Sequence, residues 1–224
     1  MSRKIRNISS LLAAPVVVIG LMLGAGQASA QEAHAHIGHI TTTWALAPNQ
    51  LGLLPAANAE AFMALSQAGL MVANLSDLAK AQEHARNVIH AIDPAFQAEG
   101  PALNYGVRAA AQDIITHVNL AAASPDASDN VKLHAEHVAT SAQNVIERSE
   151  LLVAQALGVL AASSSRQAAP FARAAATLAD QIIVGVDVNG DGQITWAAGE
   201  GGLNQVSQHM DLMVAGEDMM MSDQ

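Results

Sequence analysis

Residues 187–196 read D-V-N-G-D-G-Q-I-T-W, with Asp187, Asn189 and Asp191 at alternate positions and Gly192 directly after them. Side-chain oxygens at every second residue, followed by a glycine that turns the backbone sharply, are how a chain wraps a hard cation such as Ca2+. Gln193 follows with a backbone carbonyl, Ile194 with an apolar anchor, and Thr195 with a hydroxyl. Ala198 brings no side-chain oxygen, and the nearest further carboxylate is Glu200, set between Gly199 and Gly201. The expected calcium ligands are Asp187, Asn189, Asp191, Gln193, Thr195 and Glu200, with Glu200 brought back by a lengthened loop. The plainer alternative is a turn, since Asp, Asn and Gly favour turns without any ion.

Counted from Asp187, the segment resembles the calcium loops of the EF-hand and dockerin families. Positions 1, 3, 5, 7 and 9 carry the expected residue types, and glycine stands at position 6. Ala198 departs from that pattern at position 12, where the bidentate glutamate is expected. The resemblance covers residues 187–200 and the helices on either side. It implies a calcium ion acting as a structural staple between those helices. Only one such loop is visible, which argues against a sensor role.

Histidine is the second signal. The nine fall at His34, His36 and His39, at His84 and His90, at His117, at His134 and His137, and at His209. His134 and His137 are three apart and share a helix face. Asp113 and His117 are four apart. If 103–123 and 127–162 form a helical hairpin, His117 and His134 each lie roughly 10 Å from its end at ~1.5 Å rise per residue. Asp113, His117, His134 and His137 are therefore a candidate site for Zn2+, Cu2+ or Fe, since imidazole suits these metals. His84 or the N-terminal histidine segment could add a ligand. The alternative is that these histidines only hydrogen-bond at the edge of a bundle.

The composition narrows the classes of function. The chain has 224 residues and no cysteine, which excludes thiolate metal sites and disulfide staples. The C-x-x-C-H attachment of covalent haem is excluded with them. Residues 1–30 read as a secretory signal, with Arg3, Lys4 and Arg6, an apolar run over 11–23, and Ala28-Ser29-Ala30 as the cleavage site. Cleavage leaves seven Lys and Arg against twenty Asp and Glu, a net charge of −13. Nucleic acid is then a poor partner, because its binding rests on basic side chains. Cations suit the charge, and no later segment is apolar enough to span a membrane.

Around these residues the pattern predicts an all-α chain. Residues 31–55 show no strong period and read as an irregular lead. One helix is expected over 56–92, closed by Asp93-Pro94. Others are expected over 103–123, 127–162 and 167–186, with a short final helix over 203–214 and a disordered Met-rich tail over 217–224. Val131, Val138, Val145, Leu152 and Val159 are seven apart, as in a bundle seam. The expected architecture is an antiparallel four-helix bundle with a C-terminal EF-hand-like calcium loop and a short fifth helix, a single domain over 56–216. No internal repeat is evident. The lead "GHI…W", the middle "NYGV…H…NVK.HA.HV" and the end "GDGQITW…GEGGL" resemble an uncharacterised group of exported bacterial helical proteins, which implies export and supplies no activity.

No nucleophile motif, metalloprotease motif or phosphate-binding glycine loop is present, so an enzyme is not expected. The expected function is a secreted or periplasmic calcium-binding helical protein. The alternatives are a periplasmic transition-metal or haem binding protein built on the histidines, and an envelope interaction scaffold whose protein partner is unknown.

Overall fold

The structure, a computed structural model, describes residues 32–217. The expected signal segment and most of the tail lie outside them. Seven α-helices are described and no strand. They are α1 (Glu32–Thr41), α2 (Leu53–Ala73), α3 (Leu78–Ile92), α4 (Val107–Ala123), α5 (Asp129–Ala161), α6 (Ser165–Val184) and α7 (Leu203–Gly216).

The helical class is as expected, and two elements differ in more than their end residues. The lead expected to be irregular contains α1, whose Ala33, Ile37 and Ile40 are buried at steps of four and three. That stripe is too short to stand out by period alone. The helix expected over 56–92 is two helices, broken at residues 74–77. Asp77 caps the second of them by accepting a hydrogen bond from the Lys80 N–H at 3.2 Å. Among the described residues, no helix is long and apolar enough to cross a membrane.

Packing shows a repeat that is not evident in the residue pattern. α2 packs on α3, α3 on α5, α5 on α6 and α6 on α2, so four helices close a ring. α1 lies against α4, and α7 lies against α5. The buried positions of the two halves correspond. On α2, Ala57, Glu60, Ala61, Ala64, Ala68 and Met71 match Val145, Arg148, Ser149, Leu152, Ala156 and Val159 on α5 with one constant offset. Ala81, Ala85, Val88 and Ile92 of α3 match Ala168, Ala172, Ala175 and Ala179 of α6. Ile114, His117, Val118 and Ala121 of α4 match Val206, His209, Met210 and Met213 of α7.

The pair α1 and α2 is thus the counterpart of the single helix α5. Ala33, Ile37 and Ile40 match Val131, Ala135 and Val138 at the start of α5. The linker 42–52 interrupts the first copy, and no interruption exists in the second. Hydrophobic identity differs at most matched positions, so burial and the two H-x-x-H spacings carry the correspondence.

Candidate metal centres

His36 and His39 leave α1 on one face, three residues apart, and His117 faces them from the middle of α4. His36 Nδ1 stands 2.9 Å from His117 Nδ1, and His39 Nδ1 stands 3.5 Å from the same atom. The second half repeats this arrangement. His134 and His137 leave the first turns of α5, and His209 faces them from α7. His134 Nδ1 lies 3.2 Å and His137 Nδ1 3.4 Å from His209 Nδ1. In each triad one ligand nitrogen per histidine lies within 4.8 Å of the others.

Three converging imidazole nitrogens are hard to satisfy with protons alone. The central Nδ1 has one lone pair, or one proton, and two neighbours aimed at it. A metal ion accepts all three lone pairs. At a metal–nitrogen bond of about 2.0–2.1 Å, tetrahedral ligands stand about 3.3 Å apart, and the distances from the central nitrogen are 2.9 and 3.5 Å at the first site and 3.2 and 3.4 Å at the second. Three histidines leave a fourth position for water or another ligand.

The electrostatics favour neutral ligands. His117 is 7 % exposed and His209 8 %. Burial, followed by the neighbouring His137 and His134, pushes His209 down to about 4. Burial also lowers His117, with His39 and His36 adding to the shift and Asp113 opposing it. His39, His134 and His137 are lowered by burial as well. Neutral imidazole is the form that binds metal.

A tryptophan stands on each triad. The Trp44 ring lies 4.6 Å from His117 and 4.8 Å from His39. Trp196 stacks on His137 at 4.0 Å, with the planes 18° apart. The chain has two tryptophans in all, so each site carries its own fluorophore.

The expected set of Asp113, His117, His134 and His137 is not one cluster. His117 belongs to the first triad, and His134 and His137 belong to the second. Asp113 ligates with neither; its carboxylate accepts the Tyr105 hydroxyl at 2.6 Å. α4 and α5 pack on each other, but His117 turns to α1 while His134 and His137 turn to α7, so α1 and α7 supply the partners. His209 is the ligand missed, and His36 and His39 come from the N-terminal histidine segment, expected only to add a ligand. Two copies of H-x-x-H, His36–His39 and His134–His137, were the available signal, with His84, His90 and His117 after the first and His209 after the second. His84 and His90 stand outside the triads. His84 Nδ1 lies 2.8 Å from Gln67 Oε1, and His90 Nδ1 lies 2.8 Å from the Gln97 carbonyl.

The 187–200 loop is folded on its own oxygens. Asp187 accepts from the N–H groups of Gly190, Asp191 and Gly192 at 2.7, 3.2 and 2.8 Å. Asn189 accepts from Asp191 and Asp191 from Gln193, each at 2.8 Å. Glu200 is buried and accepts from Thr195 N–H at 3.0 Å and Thr195 Oγ1 at 2.6 Å. Among the described residues the groups that bring three such ligand atoms within 4.8 Å are the two histidine triads, and Asp187, Asp191 and Glu200 form no third. Asn144 and Arg148 of α5 tie the loop down. Asn144 binds Ala197 and Gly199, and the Arg148 guanidinium donates to the carbonyls of Gly199, Glu200 and Gly201. Trp196 is thereby held over His137.

No family model, curated protein or solved structure matches the chain, so the chemistry of the two triads alone carries the functional reading.

Proposed function

We propose that the protein binds two divalent transition-metal ions, Zn2+ or Cu2+, one at His36, His39 and His117 and one at His134, His137 and His209. The convergence of three Nδ1 atoms at ligand spacing, repeated in both halves, carries this reading. The scaffold is an antiparallel bundle of α2, α3, α5 and α6, with the triads held beside it by α1, α4 and α7. The protein is a binding protein rather than an enzyme, exported after cleavage at Ala30. Export is tested by the amino-terminus of the mature chain, expected at Gln31.

Metal content is the direct test. The wild-type protein, purified without chelator and dialysed against zinc, is expected to hold two ions per chain. His117→Ala and His209→Ala are each expected to hold one, and the double variant none. Cu2+ is expected to quench Trp44 through the first site and Trp196 through the second, so Trp44→Phe and Trp196→Phe separate the two signals. Zinc content unchanged in the double variant would end the proposal.

Calcium at the 187–200 loop is a second reading, supported by one observation. Glu200 reaches back across the lengthened loop to Thr195, the direction that a replacement for the missing twelfth ligand requires.

A further inference from the structure

The two triads are alike in nitrogen geometry and unlike in how their helices are held. His36 and His39 ride on α1, which has ten residues. Its buried side chains are Ala33, Ile37 and Ile40. A helix shorter than about 12–15 residues is marginal in water, so α1 is helical because it is docked. Its remaining ties are few. Asp126 accepts from the Ala33 N–H at 3.3 Å, and His34 Nε2 stands 3.3 Å from Glu217. The linker 42–52 interrupts the helix between α1 and α2, and the end of α1 meets the ring again at Gly52.

His134 and His137 ride on the first turns of α5, which has 33 residues and twelve buried side chains along its length. Those turns continue without a break into a helix packed on α3, α4, α6 and α7. His209 rides on α7, where Leu203, Val206, Met210 and Met213 are all fully buried. Arg148 and Asn144 anchor the segment that leads into α7. Opening α7 would release one ligand at a high cost in apolar burial. Undocking α1 releases two ligands at once for one alanine and two isoleucines.

Proteins open locally with free energies that run from near zero up to that of global unfolding. An ion leaves a three-histidine site when its ligands leave, so the cheapest opening sets the rate of exchange. We propose that the first triad is the exchange site, taking up and releasing its transition-metal ion as α1 docks and undocks, while the second triad retains its ion. This rests on the two-site reading above.

The test is zinc transfer from the fully loaded protein to an excess of a colorimetric chelator. Two phases of one ion each are expected, at least about tenfold apart in rate. His117→Ala is expected to lose the fast phase and His209→Ala the slow one. A single phase carrying both ions, or loss of the fast phase in His209→Ala, overturns the proposal. Fewer than two zinc ions per wild-type chain at the start overturns the two-site reading itself, and this inference with it. Hydrogen exchange of the wild-type protein gives a check that needs no variant. Zinc is expected to slow the amides of 34–41 at least about tenfold and those of 132–140 far less. Equal slowing of the two segments counts against the assignment.

Discussion

Glu60 and Arg148 hold the same position in the two halves of the chain, and each binds the backbone that leads into the last helix of its half. The Glu60 carboxylate accepts from the N–H groups of Tyr105 and Gly106 at 2.8 and 2.9 Å, at the start of α4. A negative charge there also suits the helix dipole. The Arg148 guanidinium instead donates to loop carbonyls ahead of α7. Both groups are buried. Removing one partner of such a contact leaves buried polar groups unpaired, at about 1–3 kcal/mol each. Glu60→Leu and Arg148→Met are therefore each expected to destabilise by about 3 kcal/mol in urea unfolding. Arg148→Met should also free Trp196 from His137 and weaken zinc at the second site, with the first unchanged. Equal weakening at both sites would show that Arg148 does not act through its loop.

The metal-free protein is expected to lose stability in mild acid. His209 titrates at about 4 in the folded chain, because burial and then the histidines beside it oppose its charge. Its unfolded value is about 6.5. As the pH falls below 6.5, the unfolded chain takes the proton first, so stability is lost between pH 6.5 and 4 and the loss levels off below that. His209 alone contributes up to about 3 kcal/mol. His39, His117, His134 and His137 shift the same way. Urea midpoints in chelator at pH 7.5, 6 and 4.5 measure this. A flat profile would mean that the imidazoles are better hydrated than their burial implies.

Gly52 lets the end of α1 meet the start of α2. A Cβ at Gly52 would stand 2.7 Å from the Thr41 carbonyl carbon and the Thr42 nitrogen, both backbone atoms that cannot swing aside. Gly52→Ala is expected to cost about 1–3 kcal/mol and to displace α1 from α4. Zinc at the first site should weaken and Trp44 emission should change, with Trp196 unaffected. Unchanged zinc affinity at both sites would show that α1 docks independently of this contact.

The 187–200 loop separates calcium from plain turn chemistry. Asp187→Ala removes the acceptor of three loop N–H groups and is expected to lower stability by about 1–2 kcal/mol in calcium-free buffer. If calcium also binds, adding it should raise the wild-type melting temperature and leave the variant unmoved. No calcium-dependent rise in the wild type would leave the loop as a turn.

Much of the scaffold is legible in the residues. Val131, Val138, Val145, Leu152 and Val159 mark the buried seam of α5, and all five are buried. Asp93-Pro94 marks the end of α3, which closes at Ile92. The break at 74–77 is less legible, because alanines and leucines continue at helical spacing on both sides. The repeat is hidden for a related reason. Alanine in one half corresponds to valine, leucine or methionine in the other, as at Ala64 and Leu152 or Ala121 and Met213, so spacing is kept where identity is not. The triads needed both missing facts. His209 is 72 residues from His137, and His117 is 81 from His36, so only the packing of α1 on α4 and of α7 on α5 brings them together.

The ring of α2, α3, α5 and α6 is reciprocal: α2 of the first half covers α6 of the second, and α5 of the second covers α3 of the first. Neither half is a closed object. Cut between α4 and α5, each would expose the alanine, leucine and valine face that its sister now covers. The nearest substitute for a missing sister is a second copy of the same half. A fragment carrying α5, α6 and α7 should therefore sediment as a homodimer, with two identical histidine triads related by a two-fold axis. Such a dimer would point to an origin in the fusion of two identical subunits. A monomeric or unfolded fragment would mean that the halves have since diverged to recognise only each other.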